Sequence, residues 1–256
     1  MFDTAFDVTR PTARLAVGDC LELMRAEPGG SVDLVYLDPP FNTGRTHKGT
    51  TGEFGDRFES IESYLEFLAP RLGECHRLLR PTGSILVHCD WRTSHRVRCL
   101  LDAIFGADQF VNHLIWSYGL GGSSPRTFAR KHDDILFYGK TEEYHFEAPR
   151  VPATSQRMRG MTKKATDVLD IPSLNNLAHE RVGYPTQKPL ALLSMLVQAC
   201  SPEGGTVLDP FCGSGTTLVA AHECGRDAIG FDISERAIQV SGERLSHEAV
   251  RLSAAG

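Results

Sequence analysis

The chain has 256 residues, 41% of them hydrophobic and 23% charged, which is typical of a globular protein whose length one α/β domain can absorb. Its seven cysteines include no C-x-x-C pair, no apolar run reaches 18 residues and no basic-then-apolar leader opens the chain. We therefore expect a cytoplasmic protein without a disulfide framework, structural zinc or membrane span. The formal net charge of −5 argues against indiscriminate coating of nucleic acid, but a local basic surface remains compatible with it.

Short apolar runs bounded by turn residues alternate with segments of helical periodicity. The predicted strands are Ala13–Val17, Val32–Leu37, Ser84–Cys89, Asn112–Ser117, Ile135–Tyr138, Thr206–Leu208 and Ala228–Phe231. The predicted helices are Tyr64–Leu79, Thr93–Ile104, Leu190–Ala199 and Thr216–Glu223, and Gly225 after the last one suits a left-handed cap. This alternation predicts an α/β fold with a doubly wound, mostly parallel sheet, in a single domain over residues 1–256.

The segment 141–183 interrupts this alternation. It is polar and has little regular periodicity, and irregular segments of this length inside a compact domain are usually functional or partly disordered. Between Arg150 and Thr166 it carries five basic residues and no acidic one. Such a run by itself is more often a solvated loop than a binding site, so its interpretation depends on its neighbours.

A glycine loop follows the strand that begins at Thr206. Gly213 and Gly215 allow the backbone to turn sharply and to approach a ligand, and the next helix presents free N–H groups. Asp209 precedes the loop, and Asp232 ends the following strand. An acid at that second position typically accepts hydrogen bonds from the ribose hydroxyls of a nucleoside cofactor.

Three cofactors are considered for this loop. A dinucleotide prefers G-x-G-x-x-G, but Leu218 stands where the third glycine belongs, and a P-loop needs a lysine that the loop lacks. S-adenosylmethionine requires neither, because it has no pyrophosphate, and Asp209 can meet its cationic amino-acid end. A merely tight strand–helix turn does not explain an acid at each strand end. The loop therefore indicates an S-adenosylmethionine site.

A second motif follows the predicted strand Val32–Leu37. Asp38 stands at the strand's carboxyl end, Pro39 and Pro40 stiffen the exit, and Phe41 supplies an aromatic face. Alone, Asp-Pro-Pro is usually a rigid turn. Beside a methyl-donor site, these residue types suit methylation of a base amine: the Asp38 carboxylate and the Pro39 carbonyl accept the two N–H groups, which frees the nitrogen lone pair. Phe41 would stack on a base flipped out of the duplex.

The order of these motifs, Asp38–Phe41 before Asp209–Thr217, resembles the beta group of amino-DNA methyltransferases, a circularly permuted form of the methyltransferase fold. The segments 18–24, 88–95, 131–138 and 184–189 resemble further motifs of that group, so the resemblance covers nearly the whole chain. It implies a seven-stranded sheet and a helix after Tyr184–Pro189 that closes over the methionine part of the cofactor. The implied cofactor-binding residues are Asp19, Cys20, Asp38, Thr186, Lys188, Asp209, Phe211, Cys212, Gly213, Ser214, Gly215, Thr216, Thr217, Asp232 and Ile233.

In the group that this chain resembles, the target-recognition segment lies where residues 141–183 lie here, so the resemblance favours contact of the basic run with double-stranded DNA. The candidate DNA-binding residues are Arg45, Lys48, Arg126, Arg157, Arg159, Lys163 and Lys164. The segment is short for the group. The resemblance also makes a homodimer and a cognate restriction endonuclease plausible partners, and it implies S-adenosylhomocysteine as the product and no metal.

Individual residues favour or disfavour the alternative functions. Methylation of cytosine C5 is disfavoured because no proline is followed by cysteine; Cys20 and Cys212 are expected to be packing residues. His88, His95 and His132 form no metal-ligand pattern and are expected to be structural or to contact phosphate. A non-catalytic DNA-binding subunit, and methylation of RNA or of protein glutamine, stay as alternatives. In the resembled group, Asp-first tetrapeptides lean towards adenine N6, which is preferred over cytosine N4.

Overall fold

The computed structural model describes residues 11–50, 53–119, 123–153, 157, 159–175, 178–245 and 250–252. The strands are β1 (Ala13–Val17), β2 (Val32–Leu37), β3 (Arg45–Lys48), β4 (Glu53–Asp56), β5 (Leu79–Cys89), β6 (Phe110–Ser117), β7 (His132–Gly139), β8 (Arg150–Pro152), β9 (Thr162–Lys164), β10 (Val168–Asp170), β11 (Thr206–Asp209), β12 (Asp227–Asp232) and β13 (Val250–Leu252). The α-helices are α1 (Cys20–Ala26), α2 (Ile61–Leu78), α3 (Ser94–Phe105), α4 (Leu190–Cys200), α5 (Thr216–Glu223) and α6 (Glu235–Arg244).

One twisted sheet organises the fold. Its strand order is β10-β6-β7-β5-β2-β11-β12-β1-β13, and β7 runs antiparallel to both its neighbours whereas the other pairs are parallel. The prediction of a mostly parallel, doubly wound α/β sheet is therefore confirmed. The seven predicted strands are present, and β10 and β13 extend the sheet at its two edges to nine strands.

Apolar residues of successive strand positions face opposite sides of this sheet. In β2, Leu34 and Tyr36 belong to one core cluster, together with residues of α4 and α5. Val35 and Leu37 belong to the other cluster, together with residues of α2 and α3. Strands buried on both faces read as continuous apolar runs, which explains why β2 was visible in the sequence.

Several elements escaped prediction. Helix α1 has only seven residues, and α6 is amphipathic but predominantly polar. The segment 141–183, expected to be irregular, contains the β8–β9 hairpin and the edge strand β10. Each of these strands has three residues, which is too short for an alternating pattern to be recognised. No helix in the described part of the chain is both long and apolar enough to cross a membrane.

The chain reverses its winding direction between β2 and β11. From β2 it continues to β5 on one side, whereas β11 is followed by β12 on the other. Open α/β sheets bind ligands in the crevice at the carboxyl ends of the strands at such a point. Val207 and Leu208 pair with Leu34 and Val35, so the ends of β2 and β11 open onto the same crevice.

Candidate active site

A cleft of about 400 Å³ lies at this edge of the sheet. Of the residues predicted for catalysis or cofactor binding, it is lined by Asp19, Cys20, Asp38, Pro39, Pro40, Phe41, Thr186, Lys188, Asp209, Phe211, Cys212, Gly213, Ser214, Thr216, Asp232 and Ile233. The two remaining predicted residues support the cleft from behind: Gly215 forms the turn before α5, and the Thr217 side chain hydrogen-bonds to Asp209. The structure thus brings both predicted motifs into one cavity.

The glycine loop is held by the second predicted acid. Asp232 accepts hydrogen bonds from the backbone N–H of Gly213 at 2.9 Å and of Ser234 at 2.8 Å. Gly213 and Gly215 have φ values of +49° and +74°, in the left-handed region that favours glycine. A Cβ at Gly215 would lie 2.6 Å from Ser241 Oγ and 3.1 Å from Ser241 Cα, so this position has no room for a side chain.

Acidic groups dominate the electrostatics of the cleft. Burial, reinforced by the nearby charge of Asp38, raises the pKa of Asp209 to about 7 despite the hydrogen bonds that Asp209 accepts. Burial also raises the pKa of Asp232. Buried carboxylates without a cation are unfavourable, because burial penalises the charged form. The cofactor end of the cleft is therefore complementary to a positively charged ligand.

The Asp38 carboxylate is paired with a residue far away in the sequence. Lys188 Nζ donates to Asp38 Oδ2 at 2.5 Å, with the two side chains only 10% and 19% exposed, and the ammonium lies 5.4 Å from the centre of the Phe41 ring. Lys188 was predicted among the cofactor-binding residues. The structure directs its charge to the carboxylate of the Asp-Pro-Pro-Phe motif.

A buried histidine lies under the same carboxylate. His88 Nδ1 is 2.7 Å from the Tyr36 hydroxyl, and His88 Nε2 is 3.2 Å from Asp133 Oδ2. Burial holds the pKa of Tyr36 well above its usual range, so the hydroxyl keeps its proton and donates it to Nδ1. As an acceptor, Nδ1 cannot donate to Asp38 Oδ1, which is 3.8 Å away and beyond hydrogen-bond distance. The contacts of His88 are thus structural, which is one of the two roles expected from the sequence, and they leave Asp38 Oδ1 without a hydrogen bond from this ring.

Thr186, which lines the cleft, and Asn42, which lies between the lining residues Phe41 and Thr43, have strained backbones. Asn42 and Thr186 have φ values of +56° and +59°, which is uncommon for Asn and a genuine outlier for a β-branched residue such as Thr. Asn42 N–H donates to the buried Asp56 carboxylate at 2.6 Å, and the Asn42 side chain accepts from Phe58 N–H at 3.0 Å. Strain of this kind persists where surrounding contacts over-determine the conformation, and it is concentrated at functional sites.

Some lining residues were missed by sequence reasoning. Arg71 on α2 binds both Asp19 oxygens, at 2.8 and 3.0 Å, and its guanidinium stacks 3.7 Å from the Phe67 ring centre. Its position within the apolar face of α2 was the available signal, since a charged residue there needs a partner. The β3–β4 hairpin contributes Asp56 and His47, whose Oδ2 and Nε2 atoms are 3.3 Å apart. No sequence pattern predicted that hairpin.

The predicted DNA-binding residues lie outside the cleft. Arg45, Lys48, Arg126, Arg157, Arg159 and Lys164 are exposed, and Lys163 is half-buried. Arg150, in the same basic run, is committed to the hairpin, where it donates to the side chain and carbonyl of Thr162.

The predicted roles of the cysteines also agree with the structure. Cys20 and Cys212 are buried, burial raises the pKa of Cys20 to about 11, and burial likewise raises that of Cys212. Both are therefore protonated packing residues. Across the described ranges, no group of three His, Cys, Asp or Glu side chains is arranged to hold a metal ion.

The fold and the cleft together are those of a methyltransferase, and residues 32–243 match the N6/N4 DNA methylase family. The chain belongs to that family. It is 32% identical to the type II methyltransferase M.HpaI of Haemophilus parainfluenzae, over 92% of this chain and 74% of the relative. It is 29% identical to the DNA adenine methyltransferase YhdJ of Escherichia coli, over 89% and 81% of the two chains. The structure of TTHA0409 from Thermus thermophilus in complex with S-adenosyl-L-methionine superposes with a TM-score of 0.65, at 27% identity, over 95% and 99%.

Proposed function

We propose that this DNA methylase transfers a methyl group from S-adenosyl-L-methionine to adenine N6 in double-stranded DNA. The observation that carries the proposal is the single cleft in which the Asp38 carboxylate faces the Asp209 and Asp232 acids across the switch point of the sheet. The Asp-first motif and the adenine-specific relative YhdJ favour adenine over cytosine N4.

The residues of the cleft fit this cofactor. S-adenosyl-L-methionine supplies an electrophilic methyl group on a sulfonium, and it carries a second positive charge on its ammonium. Asp209 would face this charge, and Asp232 would accept hydrogen bonds from the ribose hydroxyls. Ile233, which follows Asp232 and is 78% exposed, offers an apolar surface to the adenine ring. A cleft of about 400 Å³ is within the usual size range for such ligands.

Asp38 and Lys188 have separate roles in the activation of the base amine. The amine of adenine is a poor nucleophile because its lone pair is delocalised into the ring. Lys188 holds Asp38 Oδ2, so Oδ1 accepts one N–H of the amine while the Pro39 carbonyl accepts the other. With the cofactor bound, the freed lone pair would accept its methyl group, and the neutral thioether would remain as the leaving group. The extra proton on the methylated nitrogen then leaves along its hydrogen bond to Asp38.

The target base must leave the duplex to reach this cleft, because its amine is otherwise paired and stacked. Phe41, whose ring is packed against His88 with centroids 5.4 Å apart, is held in place to stack on the flipped base. We assign sequence recognition to residues 141–183, whose β8–β9 hairpin presents Arg157, Arg159 and Lys164 to solvent. A homodimer, a cognate restriction endonuclease and a cytoplasmic location stay predictions.

The test is transfer of label. Purified protein is incubated with labelled S-adenosyl-L-methionine and unmethylated genomic DNA, and the DNA is digested to nucleosides, which are then separated. We expect label in N6-methyladenine. Label in N4-methylcytosine would contradict the assigned base but keep the reaction. Absence of label from DNA, with cofactor binding demonstrated, would overturn the DNA substrate in favour of RNA or protein.

Asp38→Ala is the matching variant. We expect it to abolish turnover while the dissociation constant of S-adenosyl-L-methionine stays within about tenfold, because one peripheral contact is typically worth about 1 kcal/mol. Asp108→Ala, which removes an exposed acid outside both the cleft and residues 141–183, is the control and should behave as wild type. Retention of most activity by Asp38→Ala would overturn the mechanism.

A further inference from the structure

The loop between β6 and β7 carries an unusual side chain. Phe128 is 100% exposed, which is rare for a phenylalanine. Arg126 and Arg130 flank it two residues away on either side, and residues 123–131 include no acidic residue. Because β6 runs parallel to β2 and β7 antiparallel to it, this loop emerges at the same edge of the sheet as Asp38.

Contacts at its base fasten this loop to the active site. The backbone N–H of Tyr118 donates to the Lys131 carbonyl at 3.0 Å, which closes the loop. The Tyr118 hydroxyl donates to Asp133 at 3.3 Å, and Asp133 hydrogen-bonds to the His88 ring that underlies Asp38. The ends of the loop are thus only two side chains away from the Asp38 carboxylate.

A cation–π contact fixes the second half of the loop. The Arg130 guanidinium lies 3.9 Å from the ring centre of Trp91, which follows β5 at the same edge and also contacts Arg92 at 5.0 Å. Such contacts stabilise exposed positions modestly. Phe128, two residues before Arg130, is therefore presented to solvent by a loop that is tied down at both ends.

We propose that Phe128 is the wedge that enters the DNA duplex at the position vacated by the flipped target base. The inference rests on the proposed function. A base leaving the stack exposes the faces of its neighbours, and an apolar side chain inserted between base steps covers those faces. Arg126 and Arg130 then lie against the flanking phosphates.

The geometry suits this position. Phe128 is five residues from Asp133, which limits its reach from the active-site edge to at most about 17 Å. That reach is comparable with the width of a DNA major groove, about 12 Å. An aromatic side chain stacks on every base, so the wedge does not depend on the sequence next to the target.

The test compares paired and unpaired target bases. The site that wild-type protein methylates is first mapped by sequencing, and two duplexes are made: one with the target paired, one with an abasic position opposite it. Phe128→Ala should lower kcat/KM on the paired duplex by about tenfold or more, the effect of one lost base–aromatic stack. On the unpaired duplex the loss should shrink to within about twofold, because an unpaired base leaves the stack at little cost.

Two further variants complete the design. Phe128→Trp keeps an aromatic wedge and should retain most activity on both duplexes. Asp108→Ala is the control, because Asp108 is exposed and lies just before β6, at the opposite edge of the sheet from Asp38 and outside residues 141–183. This variant should leave kcat/KM unchanged on both duplexes. Circular dichroism and S-adenosyl-L-methionine binding report whether each variant is folded.

The outcomes separate the wedge from other roles. Equal losses on both duplexes would show a general DNA or structural contact, and no loss on either would show that Phe128 serves another surface; both overturn the wedge. These outcomes require a wild-type protein that methylates DNA. A wild-type protein that binds cofactor but labels no DNA would instead overturn the proposed function itself.

Discussion

Asp209 ends β11 as a buried carboxyl group, and its pKa of about 7 in the cofactor-free protein places its titration in the physiological range. Below pH 7 the group is protonated and neutral, and above pH 7 it is ionised. A cationic ligand binds the ionised form. Protonation therefore competes with cofactor binding at acidic pH.

The affinity for S-adenosyl-L-methionine should accordingly rise with pH up to about 7 and level off above it. Each pH unit below 7 should weaken binding by up to about tenfold, since a proton must be displaced. Calorimetric titration between pH 5.5 and 8.5 measures this profile. Asp209→Asn should bind more weakly at pH 8 and show a flatter profile. A wild-type profile that is flat would contradict this role of Asp209.

The same shift has the opposite sign for stability. Because the pKa of Asp209 is raised on folding, the native protein binds more protons than the unfolded chain between about pH 4 and 7. The free energy of unfolding of the cofactor-free protein should therefore fall as the pH rises through that range. Urea titrations of wild type and Asp209→Asn test this, and the variant should lose less stability across the range.

Substitutions of Lys188 distinguish a role in holding Asp38 from a role in binding the cofactor. We expect Lys188→Met to lower kcat by about tenfold or more, the effect of one lost charge-assisted hydrogen bond, with cofactor affinity changed less than threefold. Lys188→Arg keeps the charge and should recover part of the activity. Steady-state kinetics measure kcat, and cofactor titrations measure the affinity, so the two effects are separated. Weakened cofactor binding with unchanged kcat would instead support the role implied by the family resemblance.

At the scale of elements, the junction between β11 and α5 depends on Gly215. This residue combines a left-handed backbone with close contact to Ser241 of α6. Gly204 has nearly the same φ, +73°, but a Cβ there would meet nothing within 4 Å. The pair separates the cost of backbone conformation from the cost of crowding.

Gly204→Ala should lower the free energy of unfolding by about 1 kcal/mol, the cost of a left-handed conformation for a residue with a Cβ. Gly215→Ala should cost about 2–4 kcal/mol, because α6 must also move. Chemical denaturation measures both values. We further expect only Gly215→Ala to weaken cofactor binding. Equal costs for the two variants would show that the contact with Ser241 relaxes freely.

At the scale of the whole molecule, the β8–β9 hairpin forms a two-stranded sheet of its own. Ala165 N–H donates to the Pro149 carbonyl at 2.8 Å, so the two ends of residues 150–164 lie side by side. The two strands pair with each other and are not part of the nine-stranded sheet. A two-glycine turn can therefore replace the hairpin without interrupting that sheet.

This deletion should leave cofactor binding intact but greatly reduce DNA binding and methylation. Each lost phosphate contact should also lower the salt dependence of DNA binding, by about 0.9 in the slope of log K against log salt. Changing Arg157, Arg159, Lys163 and Lys164 to Gln keeps the hairpin and tests its charge alone. Filter binding at several salt concentrations measures these slopes. An unchanged slope in both variants would place the DNA interface elsewhere.

The positions of Asp38, Asp209 and Asp232 followed from the sequence, because each acid ends an apolar run long enough to be recognised as a buried strand. The carboxyl ends of parallel strands share one edge of a sheet, so these acids had to lie near each other. The glycine loop and the Asp-Pro-Pro-Phe motif could also be recognised, because each consists of consecutive residues at the end of such a strand. The fold class, the two motifs and the family were thus determined by patterns spanning a few neighbouring residues.

The tertiary structure alone decided the partners of those acids. Lys188 and Asp38 are 150 positions apart, and Arg71 and Asp19 are 52 apart. No local pattern specifies such pairs, because they form only when helices and loops pack over the sheet. The same holds for Phe128, whose full exposure depends on how the loop between β6 and β7 is fastened at its base. Periodicity records which face of an element is buried, whereas packing determines which distant side chain meets it.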